Sequence, residues 1–208
     1  MIKCIICYQK FSETISIDTL LKPTVYCNEC LSNLKKVENS CSYCSHPIGY
    51  KCCDKKIVNI SLYHENSFLK NVLYQIKYLN LYNKLFLFEN ALIEATQQFE
   101  NYVVVPVPLS TIMQNKRGFN QSYILASFTK LPIINCLSRL DNKTQSKKSY
   151  LERINSPPMF TLKFIPKSKN ILIIDDVFTT GTTLKSIVKL FPDEYNITCL
   201  TLQRTILK

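Results

Sequence analysis

Glycine is scarce in this chain: three residues in 208, at Gly49, Gly118 and Gly181. The glycine-rich phosphate loops are absent, since neither G-x-G-x-x-G nor G-x-x-x-x-G-K-[ST] occurs. No apolar run approaches the ~20 residues that a membrane-crossing helix needs, so no membrane span is expected. The first residues bring cysteines rather than a basic stretch followed by an apolar one. No signal peptide is therefore expected, and the cytoplasm is the expected location. Acidic residues are few, 15 against 26 lysines and arginines, leaving a net charge of +11. Such a surplus favours polyanionic partners, either nucleic acid or phosphorylated small molecules. Nothing in the composition signals disorder: 46% of the residues are apolar. The length suits one medium domain, or one domain with a small appendage.

Cysteine is abundant but unevenly placed. Eight of the ten cysteines fall within the first 53 residues, at Cys4, Cys7, Cys27, Cys30, Cys41, Cys44, Cys52 and Cys53. Cys136 and Cys199 stand alone in apolar stretches and are expected to be small buried hydrophobes. With no export signal, paired C-x-x-C knuckles indicate metal rather than disulfides. Two thiolates on one tight turn can share a tetrahedral zinc ion, and a second knuckle completes it. Cys4, Cys7, Cys27 and Cys30 are assigned to a first zinc. Cys41, Cys44, Cys52 and Cys53 are assigned to a second, although adjacent cysteines rarely serve one ion well and His46 is the alternative ligand. His46 itself is expected at the surface. Four protein ligands leave no open position for water, so both sites are expected to be structural.

The composition changes near residue 55, dividing the chain into a zinc-ribbon-type module (1–55) and a second domain (56–208). Lys56–Glu65 has the pattern of a strand or a hairpin. Phe68, Leu69, Val72, Leu73, Ile76 and Leu79 recur at helical spacing, predicting an amphipathic helix over Asn66–Tyr78. A second helix is expected over Asn83–Phe99, and a buried strand over Tyr102–Val105 that ends in Pro106-Val-Pro108. Asn120–Phe128 is expected to be helical, Ile133–Leu137 a strand, and Asp141–Pro158 a long basic loop. Strand Ile171–Ile174, helix Thr182–Leu190 and strand Ile197–Leu202 follow. Strands alternating with helices predict an α/β fold with a mostly parallel sheet flanked by helices.

Gly181 stands in the string Ile171-Leu-Ile-Ile-Asp-Asp-Val-Phe-Thr-Thr-Gly-Thr-Thr183. An apolar strand ends in two aspartates, then a hydroxyl-rich turn, then a helix. The turn offers successive backbone N–H groups and the hydroxyls of Thr179, Thr180, Thr182 and Thr183, a cradle for a phosphomonoester. Ionised Asp175 and Asp176 only accept hydrogen bonds, so hydroxyls such as those of a ribose suit them and phosphate does not. The string resembles the signature of type I phosphoribosyltransferases. That resemblance implies ribose binding by Asp175 and Asp176, and 5′-phosphate binding by Thr179, Thr180, Gly181, Thr182 and Thr183.

Further strings narrow the resemblance. Val105-Pro-Val-Pro108, Lys116-Arg-Gly-Phe-Asn-Gln121, Arg139, Gln145, Glu152-Arg-Ile-Asn155, Phe160 and Lys77-Tyr78 together resemble the ComF family of competence proteins. The similarity implies a type I phosphoribosyltransferase-like domain behind a double zinc ribbon. It implies diphosphate contacts from Pro106, Val107, Pro108 and Arg153; Lys116 and Arg117 suit either diphosphate or a nucleic-acid backbone, and Mg²⁺ is expected to bridge diphosphate and ribose. It also implies a part in the uptake of transforming single-stranded DNA, with the competence helicase and other DNA-uptake proteins as partners. Two functions are expected to compete: a protein that binds phosphoribosyl diphosphate during DNA uptake, and an active phosphoribosyltransferase. The sequence names neither an acceptor nor a general base.

Overall fold

The computed structural model describes residues 1–12, 25–48, 55–140 and 159–206. Near the N-terminus a two-stranded antiparallel ribbon, β1 (Ile2–Lys3) and β2 (Lys10–Phe11), carries the first cysteine knuckle, and the short helix α1 (Asn28–Ser32) holds Cys30 of the second, with Cys27 at its N-cap. Four strands then form the central sheet: β3 (Val58–His64), β4 (Val103–Pro106), β7 (Asn170–Phe178) and β8 (Asn196–Arg204). Their order is β3-β8-β7-β4, and every neighbouring pair is parallel. A separate small ribbon pairs β5 (Leu137–Arg139) with β6 (Phe160–Leu162).

The parallel sheet is covered on both faces, which explains the continuous apolar run of β7. Leu172 and Ile174 alternate into one core with Leu200 and Leu202 of β8. Ile171 and Ile173 enter the other with Cys199. The first core is closed by α2 (Ser67–Tyr78), α3 (Glu89–Thr96) and α5 (Gln121–Phe128), through Leu69, Leu92 and Leu125. The second is closed by α6 (Thr182–Val188) through Leu184 and Ile187. Cys136 and Cys199 are fully buried, as expected, and burial pushes both thiols upward, Cys136 to about 11.

The amphipathic helix starts one residue later than the pattern predicts, because the Asn66 side chain caps it by accepting from the Leu69 N–H. The helix expected over Asn83–Phe99 is interrupted. A 3₁₀ segment (Tyr82–Phe88) precedes α3 and another (Gln97–Phe99) follows it. Lys84, Leu85, Leu87 and Phe88 are all buried, and four such near-consecutive positions do not share one face of an α-helix. Helix α4 (Thr111–Arg117) is absent from the sequence expectations. It is capped by Ser110, which accepts from the Met113 N–H, and ended by Gly118 at φ 76°, a left-handed terminus natural to glycine. The strand expected over Ile133–Leu137 shrinks to a bridge between Ile133 and Val104, with regular pairing beginning only at Leu137.

The cysteine module shares the first core. Cys4, Ile6, Cys27, Cys30 and Leu34 pack in one cluster with Tyr63, Leu69 and Phe88. Lys84, 1% exposed, sends its Nζ to the carbonyl of Ile6 at 2.9 Å, with the ammonium 4.6 Å from the Tyr8 ring centroid.

Candidate functional site

Asp175 and Asp176 lie inside β7, which continues past them to Phe178 because Asp175, Val177 and Phe178 keep pairing with β8. They sit near the carboxyl edge of the sheet, where open parallel sheets bind ligands. A cleft of about 290 Å³ opens there, lined by Lys77, Val107, Pro108, Arg117, Arg139, Asp175, Asp176 and Thr183, with Tyr78, Leu109, Met113 and Gln121 completing the wall.

The string Lys116–Ser122 gives this cleft Arg117 and Gln121. Arg117 is buried and donates from Nη1 to Gln121 Oε1 at 2.6 Å, while its Nε, also buried, meets no acceptor. The Asn120 side chain donates to the Val107 carbonyl at 3.0 Å and accepts from the Ser122 N–H, tying the loop after β4 to the start of α5. Ser122 Oγ donates to Asp175 Oδ1 at 3.0 Å, and the Asp176 N–H donates to the same oxygen at 3.0 Å. Lys77, in the last turn of α2, places Nζ 2.6 Å from Asp176 Oδ2. The two carboxylates are therefore held differently: Asp176 by a cation, Asp175 by a hydroxyl and a backbone amide. Burial, with the neighbouring charge of Asp176 second, raises the Asp175 carboxyl to about 7, against the pull of Lys77 and Ser122.

The threonine turn follows directly. Thr179, Thr180 and Thr182 are exposed, and the hydroxyls of Thr180 and Thr182 lie 2.8 Å apart. Gly181 takes φ 76°, and a Cβ there would stand 2.6 Å from Cζ of Phe178. Glycine is thus required twice over, by conformation and by space.

Of the residues the sequence nominates for diphosphate, Val107, Pro108 and Arg117 line the cleft. Pro106 is buried at the end of β4, and Lys116 is exposed and outside the lining. Arg153 lies outside the described residues. Ser122 and Lys77, which hold Asp175 and Asp176, are assigned no roles in the sequence expectations. Arg139 reaches the lining from β5, its guanidinium carbon 5.4 Å from the Phe160 ring centroid.

In the cysteine module, the sulfurs of Cys4, Cys7, Cys27 and Cys30 all lie within 4.8 Å of one another. Cys4 and Cys30 are 3.8 Å apart, and Cys7 and Cys27 3.7 Å. Zinc–sulfur bonds of ~2.3 Å in a tetrahedron place sulfurs about 3.8 Å apart, so the donor set fits zinc. Burial opposes ionisation of Cys4, but the N–H groups of Cys7, Cys27 and Ile6 outweigh it and bring that thiol down to about 6. Burial and the neighbouring sulfurs push Cys30 up, and burial pushes Cys7 up. Four thiolates at this spacing need a cation between them. Cys52 and Cys53 lie outside the described residues. Contrary to expectation, His46 is fully buried, and its backbone carbonyl accepts from the Cys41 N–H at 2.8 Å beside the Cys41–Cys44 knuckle.

Fold and site define an α/β protein with a central parallel sheet, a charged cleft at its carboxyl edge and an N-terminal cysteine module suited to zinc. The chain belongs to the ComF family of competence proteins. It is 32% identical over 206 residues to competence protein ComFC of Bacillus subtilis (strain 168), covering 87% of this chain and 85% of that protein. It is 26% identical over 206 residues to competence protein ComFC of Streptococcus pneumoniae, covering 92% and 94%. No protein-family model matches the chain. Among the described residues no helix is long and apolar enough to cross a membrane.

Proposed function

We propose that this protein binds 5-phosphoribosyl-1-diphosphate in the cleft beside Asp175 and Asp176, and that it acts in the cytoplasm during uptake of transforming single-stranded DNA. The observation that carries this reading is the pairing of two differently held carboxylates with three cations, Lys77, Arg117 and Arg139, around a cleft of about 290 Å³. That size is near the lower end for ligand sites, of roughly 300 Å³ upward, and suits a sugar phosphate. Asp175 and Asp176 accept from the ribose hydroxyls, the threonine turn holds the 5′-phosphate, and Arg117, with its unpartnered Nε, meets the diphosphate. Mg²⁺ enters with the ligand, taking hard oxygens from diphosphate and ribose. Lys77 already neutralises Asp176, so the acidic pair is suited to hydroxyls.

Residues 1–55 form the zinc module in this reading and 56–208 the ligand domain. The names of the two curated relatives, both competence proteins, support the DNA-uptake role. The competence helicase and other DNA-uptake proteins are the proposed partners, with the +11 charge serving the DNA.

Calorimetric titration with phosphoribosyl diphosphate and Mg²⁺ tests the site. The wild type is expected to bind and Asp175→Asn/Asp176→Asn is not; no binding by the wild type removes the reading. Diphosphate release on offering nucleobases would instead mark the protein as an active phosphoribosyltransferase. Salt-dependent affinity for single-stranded DNA that survives the aspartate substitutions supports the uptake role.

A further inference from the structure

The last residue of β8, Arg204, is 1% exposed and among the largest fully buried side chains of the molecule. It stands in register with Phe178, the last residue of β7. Its Nη1 donates to the carbonyls of Phe178 at 3.2 Å, Thr179 at 2.8 Å and Thr205 at 2.5 Å. Its guanidinium carbon lies 4.8 Å from the centroid of the Phe178 ring. Gly181 packs against that same ring so closely that no side chain fits. Arg204, Phe178 and the turn around Gly181 therefore form one stack, with Thr179, Thr180 and Thr182 exposed.

Charge balance makes this stack unusual. A buried guanidinium is costly unless an opposite charge accompanies it. Among the described residues no carboxylate lies within ion-pairing distance of Arg204. Its neighbour Glu65 is engaged by Lys70 and Gln203, and His64, beside it in register, offers no negative charge. Carbonyl oxygens satisfy N–H groups but leave the net charge in place, and the Arg204 Nε is buried without an acceptor.

We propose that Arg204 is a positioning residue for the phosphate. It draws the carbonyls of Phe178 and Thr179 inward, which fixes the turn, and it supplies from behind the charge that balances a phosphomonoester seated on the threonine side. This rests on the phosphate-binding reading above but assigns a role to a residue outside the signature string. Lysine keeps the charge but loses the planar guanidinium that stacks on the Phe178 ring.

The test uses the full chain, with zinc content and thermal melts as folding controls, and ribose 5-phosphate as the probe. Arg204→Met is expected to bind it roughly tenfold or more weakly. The decisive readout is the second ionisation of the bound phosphate, followed by phosphorus NMR at saturation. In the wild type it should fall about one unit below its free value of ~6, and in Arg204→Met return toward that value. A purely structural Arg204 would change the melt without moving this ionisation. Unchanged affinity and unchanged ionisation overturn the proposal, while continued binding of phosphoribosyl diphosphate by the wild type would leave the function above standing. Binding of ribose 5-phosphate that depends on Arg204, without binding of the diphosphate donor, removes that function and keeps the role of Arg204. No phosphomonoester binding by the wild type removes both. If Arg204→Met does not fold, Arg204→Lys decides: weaker binding with the ionisation still lowered supports the proposal, and binding with an unshifted ionisation overturns it.

Discussion

Lys77 Nζ stands 2.6 Å from Asp176 Oδ2, bridging the last turn of α2 to the penultimate stretch of the central strand. Both side chains are largely buried, at 22% and 7% exposure, so water screens the pair only weakly. Lys77→Met leaves Asp176 as a second unpaired carboxylate beside Asp175. A loss of roughly 2–4 kcal/mol is expected near pH 8, measured by urea unfolding. The loss should shrink when Asp176→Asn is added, because the stranded charge is then gone. Equal losses in the single and double variants would refute the pairing.

The carboxyl of Asp175 carries a pH signature. Its value is raised from an ordinary 3.8 to about 7, first by burial and then by Asp176. Between those two values the unfolded chain has released the proton and the folded chain still holds it. Stability should therefore fall as pH rises from about 4 to about 7, with the loss complete above that window. Asp175→Asn removes the penalty. It should raise the stability at pH 8 by about 1–3 kcal/mol relative to wild type, with little change at pH 4, while abolishing ligand binding. Thermal melts of the two proteins across the window check the sign.

Much of this site was legible in the sequence. An apolar run followed by Asp175, Asp176 and threonines around a lone Gly181 specifies a strand, a charged edge and a tight turn. That information is local, and the structure keeps the order, except that the strand runs on through both aspartates to Phe178 because β8 continues to pair with it. Partners distant in sequence were not legible. Lys77 lies 99 positions before Asp176, and nothing in the periodicity of α2 shows that its last turn meets β7. Arg204 lies two residues beyond the expected end of the last strand, and only its three carbonyls single it out. Helix α4 was missed because Ser110 and Gly118, its two caps, enclose only seven residues with little apolar pattern. His46 reads as a surface residue because its burial depends on how the Cys41–Cys44 knuckle docks on β3, where Ser45 Oγ donates to the Asn59 carbonyl and accepts from the Ser61 N–H.

Two glycines share one backbone conformation and differ in surroundings. Gly118 and Gly181 both have φ 76°, but a Cβ at Gly118 meets nothing within 4 Å, while one at Gly181 meets the Phe178 ring. Gly118→Ala should cost only the left-handed strain, about 1 kcal/mol. Gly181→Ala adds overpacking and should cost about 2–4 kcal/mol, or roughly 5–12 °C in the melting temperature. It should also displace the turn enough to weaken phosphate binding. Matching melts for the two variants would show that the Phe178 contact is not tight.

The contact between Lys84 and the first knuckle ties the cysteine module to the main domain. Lys84 Nζ donates to the Ile6 carbonyl, and the Ile6 N–H in turn donates to Cys4 Sγ at 3.4 Å. A cluster of four thiolates around one Zn²⁺ keeps a net negative charge, and a buried ammonium on its backbone offsets part of it. Lys84→Met keeps the apolar stem but removes the charge and orphans the carbonyl. The expected loss is about 1.5–3 kcal/mol, shared between the domain's melting and the zinc site. In competition with a chromophoric chelator, zinc should leave Lys84→Met at roughly tenfold lower chelator concentration than wild type. Cys27→Ser should lose this zinc outright. If Lys84→Met melts early but holds zinc as tightly as wild type, Lys84 acts as a core contact only, and the electrostatic link to the cysteine cluster is refuted.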